Sequence, residues 1–149
     1  MCQCCDNSQV DELDLLKAFH GHLGPWVFAG MRMGRYALQR LQADPHFGIE
    51  TDVWCPGAPP PSCMLDGIQF STGCTLGKQN IRHHVTSDVT DGIRARFKNR
   101  HSGEILTVAL RLDAMQRAVD ALNAEGDEAG AAIIHGYSDE ELLEEIGAE

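Results

Sequence analysis

No stretch of the 149 residues approaches the ~18–20 consecutive apolar side chains of a membrane-spanning helix, so no membrane segment is expected. Basic residues are scarce: twelve Lys and Arg face twenty-two Asp and Glu, a formal charge of -10. That balance speaks against non-specific nucleic-acid binding and against docking on anionic membranes. No base precedes Lys17 and no apolar run stands before it, so no signal peptide is expected, and the expected compartment is a reducing cytoplasm. None of the six cysteines follows Cys74, and outside the first few residues none has C-x-x-C spacing, which argues against a zinc ribbon and a thioredoxin-type motif. They read as thiols or metal ligands rather than disulfides. There is no G-x-S-x-G elbow, no G-x-G-x-x-G and no repeat at solenoid periods.

What is present suits one globular domain: 43% hydrophobic and 23% charged residues in a chain of single-domain length. Residues 1–7 read as a flexible head carrying Cys2, Cys4 and Cys5. Ser8 is positioned to cap a first helix, with Leu13, Leu16 and Phe19 inward and Gly21 ending it. Pro25 restarts a helix that runs to about Gln42, with Gly30, Gly34 and Ala37 close to one face. That stripe suits close contact with another helix, inside one subunit or across a two-fold axis. Four of the six prolines crowd 56–61, which predicts a loop, a rigid polyproline segment or a lid. Strands are expected at 49–54, 93–98 and 104–112, the last two forming a hairpin, and a helix capped by Asp113 follows. Six of the ten net negative charges lie in Ser138–Glu149, where Ser138 and Glu141 form a capping box ahead of an expected acidic helix. The pattern predicts an α+β fold: N-terminal helices on a small, mainly antiparallel sheet, residues 8–125 as the domain and 126–149 as an extension ending in the acidic helix.

Three clusters can carry chemistry. His20-Gly21-His22 can converge only where the backbone turns, which Gly21 permits, and neutral imidazoles there are good zinc, nickel or iron ligands. The alternative is one histidine at a helix end and one exposed. Cys63 and Asp66 fall on one face at i and i+3 near a helix start, where a thiolate would be stabilised for ligation or attack. A buried inert cysteine is the other reading. Thr72-Gly73-Cys74-Thr75-Leu76-Gly77-Lys78 falls one residue short of a phosphate-binding loop, and Gln79 stands where a magnesium-binding hydroxyl belongs. An anion nest around Lys78 and a plain glycine turn both remain open. His46, Cys55, His83 and His84 are weaker candidates.

Phe19-His20-Gly21-His22-Leu23-Gly24-Pro25 with Gly30-Met31-Arg32-Met33-Gly34, followed by Cys63-x-x-Asp66-x-Ile68-Gln69-x-x-Thr72-Gly73-Cys74-Thr75-x-Gly77-Lys78-x-Asn80, resembles the two motifs of the formylmethanofuran dehydrogenase FmdE-like family. The resemblance spans roughly residues 13–112. It implies a small α+β protein, usually homodimeric, with a metal, typically Zn²⁺, near the H-x-H and cysteine motifs. By carry-over, His20, His22 and Cys63 are the first-choice ligands and Cys74 the next, with Asp66 and Lys78 lining the same site as catalytic candidates. Many relatives have Cys where this chain has Gly24, and longer relatives add a C-terminal zinc ribbon that is absent here. Three functions follow as expectations. One is a zinc-binding protein acting on or delivering a one-carbon or carboxyl substrate. The second is a thiol redox or sulfur-transfer protein using Cys63 and Cys74. The third is a non-catalytic accessory subunit of a molybdenum or tungsten redox enzyme.

Overall fold

The computed structural model describes residues 11–147, so the cysteine head and the Ser8 cap lie outside the described residues. Helix α1 (Glu12–His20) begins instead after Asp11, whose carboxylate accepts from the Leu13 amide at 3.1 Å. Leu16 is buried, whereas Phe19, expected inward, is 56% exposed and lies against the Phe70 ring. Gly21 closes α1 at φ 104°, the left-handed conformation that glycine adopts without penalty. Pro25 opens α2 (Pro25–Leu41) as the first helical residue.

Strand β1 (Ile49–Pro56) is followed by the proline segment and a 3-10 turn, Pro61–Cys63, that leads directly into α3 (Met64–Thr72). The prolines thus form the approach to a helix. Strand β2 (Ile81–Thr86) pairs parallel with β1, and α3 is the crossover between them. β3 (Arg94–Asn99) and β4 (Ile105–Leu110) make the expected hairpin. Helix α4 (Leu112–Glu125) starts one residue before Asp113, which lies in its first turn rather than capping it. The sheet order is β2-β1-β3-β4-β5 with one parallel pair, an α+β architecture.

Strand β2 and the elements after α4 differ from expectation. Residues 127–136 form a helix, α5 (Asp127–Gly136), packed on α4 and α2. The Ser138–Glu141 capping box is present, but its helix α6 (Asp139–Leu142) lasts one turn before the chain becomes strand β5 (Leu143–Ile146) on the edge of β4. The described part of 126–149 therefore shares the sheet and helical layer of the rest.

The small-residue stripe of α2 packs inside the subunit, on α3. A Cβ built on Gly30 would fall on the Met64 carbonyl, and one on Gly67 would fall on the Val27 carbonyl, both far inside van der Waals contact. Gly34 sits equally close to the Ser71 hydroxyl. Gly67→Ala is therefore expected to cost more than ~3 kcal/mol, the upper part of the overpacking range, because the obstruction is backbone and cannot rotate away. Urea denaturation reads this directly.

Even-numbered residues of β1 point to the other face of the sheet, where Asp52 is 5% exposed. Arg82 donates to it at 2.8 and 3.1 Å, His84 contacts it at 2.8 Å, and Arg96 donates at 3.3 Å. The Arg82 hydrogen bonds hold its carboxyl well below the usual carboxylate range, with His84 and Arg96 adding to them and burial opposing. A carboxylate with a lowered folded-state pKa contributes stability above its unfolded value, near ~4, and loses it as pH falls further. Asp52→Asn is thus expected to cost roughly 1–3 kcal/mol at pH 7. Denaturation of both proteins at pH 7 and pH 2.5 should show that difference shrinking in acid.

Candidate functional site

The turn at Gly21 folds the chain back so that the His20 and His22 rings lie 4.7 Å apart between centroids. His20, the last residue of α1, has a side chain only 8% exposed. Its Nδ1 is 2.6 Å from Asp66 Oδ2, on the first turn of α3. An ionised carboxylate only accepts, so Nδ1–H donates, and in the neutral ring Nε2 carries the lone pair. That Nε2 is buried with no hydrogen-bond partner among the described residues. Buried polar atoms are almost always partnered, so this one calls for an occupant.

The ring borders a cavity of about 30 Å³ that is also lined by His22, Gly24, Pro60, Cys63 and Asp127. About 10–15 Å³ holds one water molecule. The space thus suits a single ion with one or two small ligands. Cys63 sits where the 3-10 turn meets α3, and burial pushes its thiol up, with the nearby Asp66 and Asp127 charges acting in the same sense. Asp127 opens α5 at the rim. A Cβ built on Gly24 would lie 3.5 Å from both Asp127 Oδ1 and His22 Nε2, so both groups border residue 24. Among the described residues, no three His, Cys, Asp or Glu side chains already stand in an assembled metal-binding arrangement.

Four of the six residues singled out in the sequence meet here: His20, His22, Cys63 and Asp66. Cys74 and Lys78 do not. They follow the far end of α3, a nine-residue helix and hence about 13 Å long. Cys74 is fully buried, its thiol donates to the Ile49 carbonyl at 3.4 Å, and burial pushes it up. Lys78 Nζ donates to Thr75 Oγ1 at 3.4 Å and lies 5.9 Å from the Phe47 ring centroid. Their loop is organised by Asn80, fully buried: its amide donates to the carbonyls of His46 and Ile49 at 2.7 and 3.2 Å, and its oxygen accepts from the Thr75 amide at 2.9 Å. Gly73 is required because a Cβ would collide with the His46 ring and because φ is 76°. The glycine-rich motif is thus a staple between α3 and the sheet. His83 meets the Cys55 carbonyl at 3.0 Å, and His84 stacks on Trp54, both away from the cavity.

Asp127 escaped the sequence reading because α5 did. The one signal for it was Gly126-Asp127-Glu128, an acidic pair at the head of a small-residue run.

A family model described as "FmdE, Molybdenum formylmethanofuran dehydrogenase operon" matches residues 19–145. A probable S-adenosyl-L-methionine-binding protein of Archaeoglobus fulgidus is 35% identical over 72 residues, 44% of this chain and 18% of that protein. The chain therefore spans less than a fifth of that relative's length. The family match runs from the His20 turn through α5 to the edge strand, and with it the chain belongs to the FmdE family.

Proposed function

We propose that this protein binds a divalent metal, zinc first, at the cavity framed by the end of α1, the start of α2, the turn before α3 and the start of α5, with His20, His22 and Cys63 as ligands. The observation that carries this is the orphaned, buried Nε2 of His20. The donor chemistry fits: two imidazoles and a thiol are zinc ligands, and Asp66 on Nδ1 is the carboxylate that orients a ligating histidine. Asp66 is thus a positioning residue, and exposed His22 turns in to complete the set. A bound zinc would supply charge neutralisation and, with a position left free, Lewis acidity.

The family description supports a place beside a molybdenum redox enzyme, as an accessory subunit handling its metal or a one-carbon group. S-adenosyl-L-methionine is named for the longer relative, of which the match covers 18%. Tag-free protein purified without added metal should carry about one zinc per chain by mass spectrometry, and His22→Ala and Cys63→Ser should each lose most of it. Full occupancy in both variants, or no metal in the parent protein, would defeat the reading.

The thiol alternative has the opposite support. Burial raises Cys63, Cys74 and Cys55, the last to about 11, and a nucleophilic thiol needs the reverse. In metal-free folded protein, iodoacetamide followed by peptide mass spectrometry should leave Cys55 and Cys74 unmodified. Cys63 should react slowly at pH 7, its rate climbing only in the alkaline range. Rapid modification of Cys63 or Cys74 at neutral pH would revive thiol catalysis.

A further inference from the structure

We propose that Asp127 is the fourth ligand of this site, swinging in from α5 to close it, so that a bound metal keeps no standing open position. The inference rests on the metal-binding reading above and concerns what completes it.

The Asp127 carboxylate lines the same cavity as the buried, unpartnered Nε2 of His20. Among the described residues its side chain makes no hydrogen bond and no ion pair, so nothing need be broken for it to turn inward. Its Oδ1 and the His22 Nε2 both stand 3.5 Å from the point where a residue-24 Cβ would be. Gly24 leaves that space empty, and the carboxylate is the acidic group placed to enter it.

Position is enforced from two sides. Gly130, one turn further along α5, is so close to the Ala118 carbonyl and Pro25 that a Cβ there would meet them at 2.9 and 3.1 Å. At the other end of α5, Arg32 donates to the carbonyls of Ile134 and Tyr137 at 3.0 and 2.9 Å. The helix that carries Asp127 is thereby held in register against the start of α2.

Counted over the ligands alone, two neutral imidazoles, one thiolate and one carboxylate balance a dication, with the Asp66 charge one shell further out. Four protein donors are the pattern of a closed zinc site. The small cavity fits that pattern.

The test uses full-length protein loaded with Co²⁺, which reports its ligand field by absorbance. Affinity is measured by competition with a chromophoric chelator, and azide serves as probe for an open position. Asp127→Ala should weaken Co²⁺ binding at least ~10-fold, since even the loss of a group that only orients a ligand reaches that size. The parent spectrum should ignore azide, and the Asp127→Ala spectrum should shift with it. Adding Gly24→Cys to Asp127→Ala should recover affinity and azide resistance, because its side chain starts in the space the carboxylate fills. Circular dichroism should show both variants folded, as Asp127 is exposed and a Cβ on buried Gly24 meets its neighbours only at ordinary contact distance. Parent protein that binds Co²⁺ while Asp127→Ala matches it in affinity and azide response would overturn this inference and leave the metal reading intact. Parent protein that binds no Co²⁺ would overturn both.

Discussion

The site depends on how closely α2 and α3 approach. Gly30 on one helix and Gly67 on the other each meet a backbone carbonyl of the partner, a separation no larger residue allows. Close packing of this kind transmits position, because interiors packed to crystal-like density have no slack to absorb a shift. His20 and His22 stand on the segment entering α2, while Cys63 and Asp66 stand at the start of α3. The crossing therefore sets how far the histidines lie from the thiol and the carboxylate. The 2.6 Å contact between His20 and Asp66 is the local result.

A second constraint brings the C-terminal half to the same place. Arg32 belongs to α2, so its hold on the end of α5 links that helix to the one that frames the cavity. It also meets Asp139 at 2.9 Å and so fixes the turn that follows α5. Past that turn, Glu145 of β5 receives Arg40 and Tyr36 of α2, both at 2.6 Å. Residues 127–146 are tied to α2 along much of its length, and the cavity is finished by a part of the chain about a hundred residues from the motif that begins it.

The division between what was legible and what was not follows physical lines. Gly21, Pro25, the hairpin and the Ser138–Glu141 box act through backbone conformations that local residues dictate, and each reads correctly. The α+β class follows from the same signals. Helix α5 was missed because Ala129, Gly130, Ala131, Ala132 and Gly136 dilute its apolar periodicity, and it is packing on α2 and α4 that makes it a helix. Leu142, Leu143 and Ile146 match a helical period, yet the exposed edge of β4 recruits residues 143–146 as a strand, with Glu144 and Glu145 guarding the new edge. At the site, the H-x-H turn and Cys63 with Asp66 were legible because each is a local unit. Cys74 and Lys78 misled because a small-residue loop looks the same whether it cradles a ligand or, as here, wraps a buried asparagine.

Electrostatics then separate holding a metal from thiol chemistry. A nucleophilic cysteine needs a positive neighbour, but burial raises the pKa of Cys63, and Asp66 and Asp127 add to it, so the thiolate is suppressed. The same two carboxylates are a liability to an empty site and an asset to one that receives a dication, whose charge reverses the local preference and favours the deprotonated sulfur. The buried histidine points the same way: its Nδ1 is committed to Asp66, so in the neutral ring Nε2 presents a lone pair where no protein donor waits among the described residues. Acidic flanks, an unmatched lone pair and a cavity sized for one ion each make little sense alone. A cation among them satisfies all three at once.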